Sequence, residues 1–386
     1  MLTGGTDAGY RRLLASAYQV ITRVEIWRGG ARIDPYGDAG VPILASSSPI
    51  SATLASRVVR TGSFVVQEDR NNILVPESFV DPTALLTPFG SEVRIFQRVR
   101  GGAGISFAFQ VFSGRIAAIS YQASSGQMTV NFEDRAAYVG SSNFGTPQNS
   151  DAGLDLVDQF GVLVSGALPS ATFGASDPFG LKTPAFNWTN DRASACDDLA
   201  GAANAFWYTL ANGDFVMRQI PWTNFNAVPV PVTYTDGPGG LINDANLTAS
   251  RQNVFNQWTV VGELANTSTP FYATASDLNP SSPTYVLGNF GVQGQLQQAQ
   301  GVSSQGQALS LAQANLSRNK GLTEAWTFST ALDPSLELGD LLPLSVTNQW
   351  GVTRTDLQVV SGYTLPITGT STMQVTCRAL THGLSS

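Results

Sequence analysis

Hydrophobic and polar positions alternate with a period of two through much of the first third of the chain. From Val20 to Trp27, Val20, Val24 and Ile26 fall on one face, and Arg28-Gly29-Gly30 follows as a hairpin turn. From Glu92 to Arg100, Val93, Ile95 and Val99 share a face, with Arg94, Arg98 and Arg100 opposite and Phe96 among them. Phe107, Phe109 and Val111 point one way, and Met128, Val130 and Phe132 alternate with Gln127, Thr129, Asn131 and Glu133. Gly62, Gly90, Gly114 and Gly126 punctuate these runs. Short strands with regular turn signals predict a barrel or sandwich, here a first β-barrel-like domain over 1–140.

A Ser/Asn/Gly-rich connector at 140–153 changes the grain. Gly153 to Ser165 reads as a short helix. Asp191 to Asn204 reads as a second, with Thr189 or Asn190 as N-cap and an apolar stripe of Leu199, Ala202 and Ala203. Phe206–Leu210 and Phe215–Met217 flank Asn212-Gly213, a strong hairpin signal. Together these predict a small α/β insert at 150–235.

A strand pattern returns at Asn253–Val261, and the Pro/Ser/Gly/Gln-rich stretch 265–300 reads as an extended loop excursion. Gln307 to Asn319 carries Leu309, Ala312 and Leu316 on one helical face and stops at Gly321. Strands at Ala325–Ser329, Leu341–Val346, Asp356–Tyr363 and Met373–Leu380 follow. They complete a second, discontinuous β-barrel-like domain, 236–264 plus 301–386. Within it, Leu332-Asp333-Pro334-Ser335-Leu336-Glu337-Leu338-Gly339-Asp340 reads as a strand end, a Pro-set turn, and a glycine that frees the chain to enter the next strand. The fold class is mainly β with a small α/β insert.

Charged residues are 13% of the chain, about half the usual share, while 38 glycines and 20 prolines supply turns. The net charge of −7 is uneven: residues 1–135 sum to +2 and residues 136–386 to −9. That balance argues against stable nucleic-acid binding, which wants a basic stripe. Cys196 and Cys377 stand far apart, one in a helical and one in a strand pattern, and read as free buried thiols. No run approaches the roughly 18 apolar residues of a membrane helix. Arg11-Arg12 and Ala15-Ser16-Ala17 mimic a signal peptide, but only Leu13 and Leu14 separate them, so the product is expected to stay in the cytoplasm until assembly.

Candidate chemistry is sparse. His382 is the only histidine and lies near the chain end, so a triad or histidine metal site would depend on it. Asp197-Asp198 and Asp151/Asp155/Asp158 could form a paired-carboxylate or calcium site, but the EF-hand pattern with its closing Glu is absent, and a solvated helix face explains them. Gly101-Gly102-Ala103-Gly104 and Gly237-Pro238-Gly239-Gly240 lack a following GK[ST] and read as hairpin loops. Trp188, Trp207, Trp222, Trp258, Trp326 and Trp350 could stack on sugars, but most fall in patterns that place them in a core or a subunit contact. Arg94, Arg98 and Arg100 could meet phosphates or a neighbouring acidic subunit. No catalytic residue, cofactor or metal site is assigned.

Several segments resemble phage tail hub proteins, the minor tail proteins of the tail tip. Ser250–Gly262 is similar to the strand opening the second tube domain, and Asp277–Gly288 to a segment in minor tail proteins of actinobacterial siphophages. The 332–340 turn, Arg57–Gly62 and Leu86–Arg94 fit the same group. The resemblance covers most of the chain and rests on the order of structural turns. It implies two barrel-like tube domains and a homotrimer whose ring matches a six-fold tail tube or distal tail protein above. A three-fold tip or fibre protein would bind below, with tape-measure protein and DNA passing through. Leu332, Asp333, Pro334, Leu336, Gly339 and Asp340 would be structural, and the location would be the virion. Other readings are a carbohydrate-binding β-sandwich protein and a glycoside hydrolase with two carboxylates.

Overall fold

The computed structural model describes residues 7–72, 74, 81, 83–189, 191–203, 205–219, 233–252, 254–263, 271–300, 302, 304–320, 323–368 and 372–379. Helix α1 (Ala8–Leu14) precedes β1 (Gln19–Arg28), β2 (Ala31–Arg32), β3 (Ile50–Thr53), β4 (Arg60–Gln67), β5 (Glu92–Arg100), β6 (Ser106–Gln122) and β7 (Gln127–Asp134). There follow α2 (Ala136–Gly140), β8 (Gln148–Asn149), α3 (Leu156–Ala167), β9 (Asn187–Trp188), α4 (Arg192–Ala202), β10 (Phe206–Thr209) and β11 (Phe215–Arg218). Next come β12 (Tyr234–Thr235), β13 (Ile242–Ser250), β14 (Gln257–Glu263), β15 (Phe271–Ser276), β16 (Gly294–Gln300) and α5 (Gln305–Asn319). The chain closes with β17 (Thr323–Thr330), β18 (Leu341–Thr347), β19 (Thr353–Leu365) and β20 (Met373–Ala379). The molecule is mainly β with a small α/β insert.

Period-two alternation sets the strands because successive side chains leave a strand on opposite faces. In β5, Val93, Ile95 and Val99 are buried while Arg98 and Arg100 are exposed. In β7, Met128, Val130 and Phe132 are buried. Each such burial stabilises the fold by about 1.5–3 kcal/mol. Strand β6 is long enough to bend, with register shifts opposite Ile95/Phe96 and at Ile116/Ala118. Gly114 sits between those shifts, where a Cβ would lie 2.0 Å from the Glu133 carbonyl oxygen. Gly114→Ala is therefore expected to lower stability by about 1–3 kcal/mol, read as a fall in the urea midpoint.

The two β-rich halves share one sheet. Its order is β13–β17–β20–β19–β3–β4–β7–β6–β5–β1–β2, with β18 on β19 and β12 on β18. The seam is antiparallel: Gly362 faces Thr53, Tyr363 faces Ala52, Thr364 faces Ser51 and Leu365 faces Ile50. One core runs under both halves, from Tyr10, Phe64 and Phe132 to Phe328, Leu342 and Val375. A second core in the insert packs Phe160, Trp188, Cys196, Leu199 and Trp207.

Two local expectations change. Asp191, rather than Thr189 or Asn190, caps α4, its carboxylate accepting the Ser194 N–H at 2.7 Å; Asn190 itself lies outside the described residues. The stretch 265–300, read as an extended loop excursion, contains β15 and β16, which flank β14 in a separate three-stranded sheet. Helix α5 covers one face, burying Ala308, Ala312 and Leu316 against Val260 and Ala273. The sequence hides this sheet because its inward positions include Ala273, Ala275 and Ala299, too small to mark an alternation. Ser304 caps α5; Gly321 and residues 265–270 lie outside the described residues.

Candidate functional site

The 332–340 turn lies inside the molecule. Leu332, Asp333, Pro334, Ser335, Leu336, Glu337 and Leu338 are all buried. Gly339 adopts φ +81°, a left-handed conformation that suits glycine, and its N–H donates to the Val360 carbonyl at 2.9 Å. The Asp340 carbonyl accepts from the Val360 N–H, and its carboxylate accepts the Glu337 N–H at 2.8 Å. The turn thus threads onto β19 by backbone bonds and turns its two other carboxylates toward distant parts of the chain.

Asp333 is the first of these. It accepts from the Tyr10 hydroxyl at 2.7 Å, from the Ser335 N–H at 3.0 Å and hydroxyl at 2.6 Å, and from the Tyr234 hydroxyl. The Arg11 guanidinium lies 2.6 Å away. Burial alone would raise the Asp333 carboxyl, but Arg11 and the hydroxyl donors outweigh it and hold the group below the ordinary range. Tyr10 also packs between Phe107 and Phe109, with ring centroids 5.2 and 5.0 Å away. So α1, the β6 strand, β12 and the late turn meet at one carboxylate.

Glu337 is the second. It pairs with Arg60, which is 0% exposed, and accepts the Ala211 N–H at 3.2 Å. Arg60 also donates to the Thr209 carbonyl at 2.6 Å and the Tyr363 hydroxyl at 3.2 Å, while its backbone N–H donates to Asp134 at 2.8 Å. Burial would lower the Arg60 pKa, but Glu337, Tyr363 and Asp134 keep it raised. This second node ties β4, β7, the insert hairpin and β19 to the same turn. Both carboxylates are met by several donors, and Asp333 and Arg60 are fully buried, so the arrangement suits holding parts together.

Sequence reasoning singled out the turn but not its partners Tyr10, Arg11, Arg60, Tyr234 and Tyr363. One signal was available for α1: Asp7 caps it, accepting the Gly9 N–H at 2.7 Å, and Tyr10, Leu13 and Leu14 recur at helical spacing. Arg60 carried none, since a lone arginine in a strand reads as solvent-facing.

The other candidates disperse. Asp197 accepts the Trp207 indole N–H at 2.6 Å and pairs with Arg57 at 2.6 Å. Asp198 accepts the Trp188 indole at 3.1 Å. The two carboxylates thus brace tryptophans of the insert core. Asp155 caps α3 and Asp151 accepts the Gly153 N–H. Among the described residues no group of acids, histidines or cysteines could hold a metal ion. Trp188, Trp207 and Trp326 are buried and Trp258 half-buried, leaving Trp350 as the exposed one among the described residues. Arg94 lies over the Trp27 ring at 3.8 Å. Cys196 and Cys377 are free and buried, and burial pushes both thiols up. His382 and Trp222 lie outside the described residues.

The buried acids predict an unusual pH response. Burial pushes Asp134 up to about 6, against backbone bonds from Arg60 and Ala136 that work the other way. A carboxyl raised on folding contributes stability that is complete below its unfolded value near pH 4 and is lost as pH rises through about 6. Unfolding free energy is expected to include a fall of about 1.5 kcal/mol from this group between pH 5 and pH 7. Urea titrations of the wild type and Asp134→Asn check this; equal slopes in the two proteins exclude it.

A mainly β chain, its halves sharing a sheet and its insert keyed to a buried turn, has the fold of phage tail proteins. One such structure is the tail protein from Neisseria meningitidis MC58, matched over 94% of this chain and 97% of that one, with a TM-score of 0.59 and 12% identity. The prophage MuSo2 tail protein from Shewanella oneidensis matches at 0.55 and 12% identity, over 93% and 98%. A prophage tail protein from Listeria monocytogenes EGD-e matches at 0.51 and 10%, over 94% and 95%. No protein-family model and no curated protein matches the sequence.

Proposed function

We propose that the chain is a structural, non-enzymatic hub of a phage tail tip. Three copies form a ring in which each contributes two tube-like modules, about 1–140 and 236–264 plus 301–386. The six modules meet a six-fold tail tube or distal tail protein above, and a three-fold tip or fibre protein binds below. Tape-measure protein and DNA pass through the ring during infection. The protein is assembled in the host cytoplasm and resides in the virion.

One observation carries this reading: in a fold shared with tail proteins, the β19–β3 seam and the 332–340 turn join both halves through one continuous sheet and buried ion pairs. A ring that must keep its bore while cargo passes requires modules that cannot hinge against one another. Negative-stain microscopy with mass photometry tests it. Three-fold rings of three chains are the expected result. Dispersed monomers that bind glycan arrays would favour the carbohydrate-binding reading, and polysaccharide turnover lost in Asp197→Asn would favour the hydrolase.

A further inference from the structure

From Leu278 to Ser317 the sequence contains no Asp, Glu, Lys, Arg or His, and between Gln252 and Leu278 the only charges are Glu263 and Asp277. This stretch builds the β15–β14–β16 sheet, its connecting loop and α5. Asp277 does not charge the surface: it is buried and accepts the Ser282 hydroxyl and the Thr284 hydroxyl, the latter at 2.8 Å.

Helix α5 covers one face of the sheet and leaves the other open. Alternation places Thr259, Val261, Tyr272, Thr274 and Leu296 on the open side, where Tyr272 is 67% and Leu296 61% exposed. The Thr259 and Thr274 hydroxyls bond across it at 2.9 Å. The loop joining β15 to β16 is held in one shape by buried Asn256. Its amide donates to the Thr284 and Gly291 carbonyls at 3.0 and 2.7 Å and accepts the Gln293 N–H at 2.7 Å. That loop holds Leu278 and Leu287 out in solvent, the latter 76% exposed.

We infer that this sheet face, uncharged apart from Glu263 at the end of β14, is where one copy of the chain contacts the next; the inference rests on the ring reading above. Surfaces that stay in water carry charges for solubility, whereas the centres of protein interfaces are depleted of them. Copies of a chain with net charge −7 repel one another, and a neutral face is where that repulsion is weakest. A fixed loop presenting apolar side chains loses little entropy on docking.

The test uses full-length Leu296→Lys, with Trp350→Lys as control. Trp350 is 79% exposed but sits in the β18–β19 turn, outside the neutral stretch. Mass photometry across a dilution series, with thermal melts to confirm folding, reads the dissociation constant. Leu296→Lys is expected to weaken self-association at least about tenfold while melting as the wild type does, because a lysine buried in a contact lacks a partner. Trp350→Lys is expected to assemble normally. Rings that persist in Leu296→Lys overturn the face and leave the ring reading standing. Rings lost only in Trp350→Lys move the contact to the hairpin and also overturn it. A monomeric wild type overturns both the face and the ring.

Discussion

Arg60→Ala is expected to lower the unfolding free energy by about 3–5 kcal/mol, because it strands Glu337 without its cation in the interior. The Thr209 carbonyl and Tyr363 hydroxyl lose a donor in the same step. Removing both charges has a different outcome. Arg60→Met combined with Glu337→Gln removes both members of this buried ion pair and is expected to recover much of the loss, since paired burial gives back little more than it costs. Urea unfolding of Arg60→Met, Glu337→Gln and the double variant measures the coupling. Additive losses would mean that Arg60 acts through packing of its aliphatic stem and not through Glu337.

Asp333→Ala is expected to cost a similar amount, about 3–5 kcal/mol, by taking the Asp333 carboxylate from the Arg11 guanidinium and leaving the Tyr10 and Tyr234 hydroxyls without this acceptor. Its signature is local. Helix α1 is tied to the late half through Tyr10 and Arg11, so limited proteolysis should cut near residues 8–17 in the variant well before the wild type. The pH response has the opposite sign to that of Asp134. The Asp333 carboxyl is lowered on folding, so its contribution is present above its unfolded value near pH 4 and is lost as pH falls through the folded value. Asp333→Asn should flatten the acid limb below about pH 4. An acid limb unchanged in Asp333→Asn would remove the Arg11 pairing from the account.

The two variants attack different attachments of one turn. Arg60→Ala loosens β4 and the insert hairpin, and Asp333→Ala loosens α1 and β12. If the chain works as a rigid ring component, both should impair assembly more than their stability loss at working temperature explains. Assembly measured at a temperature where each variant remains folded separates the two effects.

Much of the fold was legible in the chain. The alternation at Glu92–Arg100 and Gln127–Glu133 marked β5 and β7, Asn212-Gly213 marked the β10–β11 hairpin, and Ala312 and Leu316 marked α5, whose buried face takes Ala308 and Leu311 with them while Leu309 is 40% exposed. The 332–340 turn stood out through Pro334 and Gly339. Its role did not, because Asp333 and Glu337 look like surface acids until their partners are known. The strands β15 and β16 escaped because their inward positions, Ala273 and Ala275 in β15 and Gln295, Gln297 and Ala299 in β16, are too small or too polar to mark an alternation.

Sequence alone determined the local conformations: which stretches extend, which coil, and where glycine lets the chain reverse. Those follow from backbone sterics and from the period with which apolar side chains recur, both properties of neighbouring residues. Tertiary structure alone decided that Arg11 finds Asp333, that Arg60 finds Glu337, and that the end of β19 pairs with β3. A buried charge takes whichever opposite charge the packed chain brings within reach, and a strand end takes whichever edge lies beside it. Such choices depend on contacts between segments hundreds of residues apart, which no local pattern encodes.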